Sequence, residues 1–70
     1  MPDAVTIQVN GENRETAAGT SVTALLAQLG LSSGRVAIEY NRQILPKSKW
    51  DETHVGHGDR FEIVQFVGGG

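Results

Sequence analysis

The sequence predicts an α+β fold: a mixed sheet with one helix packed across one face. Three observations carry that expectation. Two runs near the ends of the chain, AVTIQVN and FEIVQFV, alternate apolar and polar residues with the period of two that marks a half-buried strand. Between them, SVTALLAQLG repeats its apolar residues at helical spacing. The 70 residues include no cysteine, so a regular apolar core has to hold the domain without disulfide staples.

Taken in order, residues 4–10 form the first strand, with Val5, Ile7 and Val9 on one face and Thr6 and Gln8 on the other. Asn10-Gly11 is a strong hairpin signal and leads into a second, weaker strand over residues 14–17. A helix follows over residues 21–29. Thr20 or Ser21 is placed to cap it, and Val22, Leu25, Leu26 and Leu29 fall at i, i+3, i+4 and i+7. Gly30 stands where a helix end favours a left-handed residue. Residues 36–41 alternate again, with Val36, Ile38 and Tyr40 inward, and Asn41-Arg42 reads as a turn. RQIL gives a short edge strand stopped by Pro46, which has no N–H for a ladder. The next stretch is irregular, with one helical turn near residues 47–50 and Trp50 as a lid on the core. Gly58-Asp59 turns the chain into the last strand, where Phe61 and Ile63 point inward. This order places the first and last strands parallel in the middle of the sheet, by analogy the β-grasp arrangement of ubiquitin. Residues 1–67 make that ubiquitin-like domain, and residues 68–70 a flexible glycine tail.

Composition narrows the function classes. A hydrophobic content of 39% is too high for a disordered chain. A net charge of −2 is not the basic face of a nucleic-acid binder. Arg35, Arg42, Lys47 and Lys49 lie in one stretch, but Glu39 sits among them, and they read as a solvated face. Without cysteine there is no thiolate metal site and no cysteine nucleophile. His54 and His57 lie near Asp51 and Asp59, yet a metal site needs three or four ligands on a rigid frame. They read as surface histidines, with no bound metal or cofactor expected. There is no signal-peptide pattern and no apolar run of about 20 residues. A cytoplasmic protein, monomeric when free, is expected. No nucleophile–base pattern is present, so it is not expected to act as an enzyme on its own.

The last strand runs out into Gly68, Gly69 and Gly70. No helix follows them, so they are not a phosphate loop. Without Cβ atoms, three glycines form a thread thin enough for a narrow channel in another protein. From Val67 the terminal carboxylate reaches about 10 Å, at the extended limit of about 3.3–3.6 Å per residue. Alternation leaves Glu62, Val64 and Phe66 on the face opposite the helix, and exposed apolar residues beside a tail point to a docking face. The group worth activating is therefore the carboxylate of Gly70.

With these features in place the chain resembles the ThiS family of sulfur carriers of thiamine biosynthesis. The resemblance runs from Val5 to Gly70. It rests on Asn10-Gly11, the helix start TSVTALL with Thr20, Val22, Leu25 and Leu26, the block NRQILPKSKW, Gly58-Asp59, the apolar last strand and the VGGG end. It implies that an E1-like adenylyltransferase (ThiF) uses ATP and Mg²⁺ to convert the Gly70 carboxylate to an acyl-adenylate. Sulfur from a persulfide donor, supplied by a cysteine desulfurase, then displaces AMP and leaves a Gly70 thiocarboxylate. Thiazole synthase (ThiG) takes up the sulfur. Gly68 and Gly69 would thread the partner sites. The molybdopterin-synthase small subunit, other diglycine sulfur carriers, ubiquitin-like modifiers and a plain interaction module with an inert tail are the competing readings.

Overall fold

The strand made last in the chain, β5 (Arg60–Gln65), lies in the middle of the sheet. In the computed structural model, which describes residues 3–31 and 35–66, it is flanked by β1 (Ala4–Val9) and β3 (Val36–Tyr40). β2 (Glu12–Ala17) extends the sheet beyond β1, and β4 (Gln43–Ile44) beyond β3. β5 runs parallel to β1 and antiparallel to β3. The helix α1 (Val22–Gln28) packs its buried Val22, Leu25 and Leu26 against one face. This is the arrangement that the order of alternating segments predicts.

Two tight hairpins set the registers. Asn10 and Gly11 both take left-handed backbone angles, φ 53° and 84°, the geometry of a two-residue turn whose twist matches paired strands. Val9 therefore pairs at once with Glu12, and β2 begins two residues before the expected start at residue 14. The Asn10 side chain then crosses to β5. Its Oδ1 accepts from the Ile63 N–H (2.7 Å) and its Nδ2 donates to the Ile63 carbonyl (3.1 Å), extending the parallel ladder past Val9. Asn41 and Arg42 form the second such turn, so β4 begins at Gln43. Leu45 still donates to the Ile38 carbonyl (2.9 Å) before Pro46 ends the pairing.

Ser21, not Thr20, caps the helix, with its Oγ accepting from the Ala24 N–H. The Thr20 hydroxyl instead donates to the Ala17 carbonyl (2.7 Å). Gly30 closes the helix at φ 74°, with Leu31 N–H on the Leu26 carbonyl and Gly30 N–H on the Ala27 carbonyl. That pair of bonds satisfies the last orphan carbonyls. The core joins Ile7, Val9, Ile38, Phe61 and Ile63 of the sheet to the helix stripe, with Trp50 and Val55 closing the side. Trp50 donates its indole N–H to the Leu45 carbonyl (3.1 Å), as a buried lid needs. The expected helical turn is a 3₁₀ turn at Lys47–Lys49.

Asp59 ties the irregular segment to the sheet. Its Oδ2 accepts from the Tyr40 hydroxyl (3.0 Å) and the Gly56 N–H (2.7 Å), and its Oδ1 from Asn41 Nδ2 (3.3 Å). Burial, then the hydrogen bond to Asp59 and its negative charge, raise the Tyr40 pKa above its ordinary value. The folded state therefore holds the phenol proton more tightly than the unfolded chain does. That stabilisation is complete below about pH 10 and is lost as pH rises through the folded pKa. Denaturant midpoints followed from neutral to alkaline pH should fall above about pH 10 in the parent protein, and fall less in Tyr40→Phe. Parallel profiles for the two would show that folding does not hold the phenol proton.

Candidate functional site

Because α1 covers one face of the sheet, the alternation in β5 divides its side chains cleanly. Phe61 and Ile63 are buried under the helix, while Glu62 and Val64 project from the opposite face. Phe66 lies one residue past β5 and remains registered to β3, its N–H donating to the Arg35 carbonyl (2.8 Å). Val64 is 54% and Phe66 56% exposed. Val67, Gly68, Gly69 and Gly70 lie outside the described residues.

The structure adds Ile44 to this face. At 80% exposure it is the most exposed of the large apolar residues among the described ones. Glu39 pairs with Ile44 on one side and with Glu62 on the other, while Ala37 pairs with Val64. Ile44, Glu39 and Glu62 thus make one row across three strands, and Ala37 and Val64 the next row toward the end of β5. The two-residue turn at Asn41–Arg42 was the signal for Ile44. Once Ile38 points inward, Glu39 must point outward, and so must the residue opposite it.

A shallow cleft of about 370 Å³ opens on the adjoining part of this face, lined by Gln8, Gly11, Glu39, Arg42, Arg60, Phe61 and Glu62. Its walls are charged with both signs and it is open to solvent, so it lacks the apolar enclosure that holds a small substrate. The histidines are elsewhere. His57 Nδ1 accepts from the Thr6 N–H (3.2 Å), bracing the loop before β5 against β1, and His54 forms an isolated bridge with Ser21. Among the described residues, no group of three or more His, Cys, Asp or Glu is placed to hold a metal ion. No helix among them is long and apolar enough to cross a membrane.

Comparison with known proteins gives a consistent answer. The pattern of the ThiS family matches residues 7–70. A thiazole synthase of Paramagnetospirillum magneticum is 48% identical over 62 residues, which are 89% of this chain and 19% of that protein. The chain thus spans about a fifth of that relative's length. The sulfur carrier protein ThiS of Escherichia coli is 34% identical over 64 residues, covering 91% of this chain and 97% of the carrier. The crystal structure of the thiamine biosynthesis protein ThiS of Geobacter metallireducens superposes with a TM-score of 0.79. It is 33% identical, with 94% of this chain and 100% of that one covered.

Proposed function

The chain belongs to the ThiS family, and from that premise we propose that it is a sulfur carrier of thiamine biosynthesis, a substrate of its partner enzymes rather than a catalyst. The observation that carries this reading is its match to the Escherichia coli carrier over 97% of that protein's length.

The chemistry follows from what the chain offers. It has no cysteine, so sulfur cannot ride on it as a persulfide. In a chain that ends at Gly70, the available acceptor is the terminal carboxylate. A carboxylate resists attack until one oxygen becomes a leaving group. Transfer of AMP from ATP, with pyrophosphate released, makes the mixed anhydride. Attack by a persulfide sulfur displaces AMP, and reductive cleavage of the resulting acyl disulfide by a thiol leaves the thiocarboxylate. An E1-like adenylyltransferase (ThiF) using Mg²⁺ and ATP would catalyse the first step, and a cysteine desulfurase would supply the persulfide. Thiazole synthase (ThiG) would accept the sulfur, a link supported by the thiazole synthase relative that carries a similar segment. Gly68 and Gly69 would thread the partner sites, with Glu62, Val64 and Phe66 docking beside them.

The test is an intact mass. Protein ending at Gly70 is incubated with ATP, Mg²⁺, the adenylyltransferase and a persulfide source with a thiol reductant. A species in which one oxygen is exchanged for sulfur is expected, and fragmentation should place the exchange on Gly70. Recovery of unchanged protein after AMP has been released to completion would remove the carrier reading.

A further inference from the structure

Between Ile44 and Val64 the outer face is not flat. A groove of about 160 Å³ crosses β3 there, lined by Ala37, Ile38, Glu39, Ile44, Glu62 and Val64. Its length is apolar, and Glu39 and Glu62 stand together at one side. These two glutamates are directly opposite each other in the antiparallel β3–β5 pair. Like charges in that position destabilise a sheet. Among the described residues no hydrogen bond or ion pair engages either carboxylate. Arg42 and Arg60 border the adjoining cleft without closing an ion pair to either of them. The free chain thus sets two facing carboxylates, neither in an ion pair among the described residues, next to an exposed apolar channel.

We propose that this groove seats one arginine or lysine side chain of a thiazole synthase docked on the outer face. Such side chains lay an apolar stem along a hydrophobic surface while keeping the charged head in a polar setting. Ala37, Ile44 and Val64 would take the stem, and the paired carboxylates the head. Arginine suits the site best, because its planar fork presents several donors to two acceptors at once. The position also fits an enzyme that receives the tail. Glu62 is four residues from Phe66, roughly 13 Å at about 3.3 Å per residue, so a protein gripping residues beyond Phe66 covers the groove as well. Thiazole synthase is the partner for which a similar segment occurs within the same chain. This inference rests on the docking face assigned under the proposed function.

The experiment is calorimetric titration of the intact protein with purified thiazole synthase at low and high salt. The doubly substituted Glu39→Gln, Glu62→Gln protein should bind about tenfold more weakly at low salt and show a flatter salt dependence. Its own unfolding temperature should be unchanged or raised, because the repulsion is gone. Val64→Ser serves as the probe of the face itself. If the double variant binds like the parent while Val64→Ser binds more weakly, the cationic seat is wrong and the docking face stands. If Val64→Ser also binds like the parent, the docking face is wrong. Absence of binding by the parent overturns both.

Discussion

Phe61→Ala is expected to cost about 3–5 kcal/mol of folding stability, the usual range for truncating a buried aromatic. Phe61 is fully buried, in the central strand, beside Val9 on the parallel strand and with its ring 5.2 Å from that of Tyr40. A small core has few neighbours able to shift into such a void, so the transfer term and the cavity term both apply. At about 0.05–0.15 kcal/mol per residue, a domain of this size holds only about 3–10 kcal/mol in total. The loss therefore removes much or all of its stability. A melting temperature lowered by more than about 12 °C is expected, since each kcal/mol shifts a domain this small by about 4–8 °C. Phe61→Leu, which refills most of the volume, should cost under about 2 kcal/mol. Thermal unfolding followed by circular dichroism separates these cases. A drop of less than about 4 °C for the alanine variant, the effect of about 1 kcal/mol, would mean that the core does not depend on this ring. The functional consequence is direct, because β5 is the strand that leads toward the glycines.

Periodicity made the elements legible wherever an element is long enough to have a period. The alternations of β1, β3 and β5 and the stripe of α1 gave the right faces, and Gly30 and the Thr20-Ser21 pair marked the helix ends, with the choice of Ser21 left to the structure. The outward placement of Glu62, Val64 and Phe66 was legible for the same reason, since one helix shields one face and alternation assigns the other. What stayed hidden depends on long-range pairing. Val55 is buried at 4% exposure in a segment without periodicity, placed there by its bond to the Thr20 carbonyl. Ile44 sits on a two-residue strand, too short to alternate, and its outward direction comes from its register with Glu39. Thr16, on an edge strand of mostly exposed residues, is buried, and its hydroxyl donates to Gln28 Oε1 at 3.1 Å. Asp59 read as a turn residue, and its grip on Tyr40 and Asn41 spans 18 or 19 residues of chain. Gly68, Gly69 and Gly70, read as a tail from residue type alone, lie outside the described residues.

Gly69→Ala is expected to slow formation of the thiocarboxylate by about two orders of magnitude, the cost of misplacing a reacting group by about 1 Å. The added methyl group widens the thread one residue before the carboxylate and restricts its backbone to fewer conformations. Removing Gly70 should abolish the reaction, because the carboxylate of a chain ending at Gly69 falls short by about 3.5 Å. Neither change should alter folding, since the core is complete by Ile63. Equal melting temperatures for the variants and the parent therefore belong to the prediction. Single-turnover assays with excess adenylyltransferase should show the loss in the rate at saturation. A docking-face change such as Val64→Ser should instead act on the concentration needed for half-saturation. That contrast separates the two roles proposed for the last nine residues, affinity from the sheet face and position at the reacting atom from the glycines. A Gly69→Ala protein charged at the parental rate would show that the channel tolerates a side chain. Charging of the protein shortened by Gly70 would show that the reacting carboxylate need not be held at a fixed reach from the sheet.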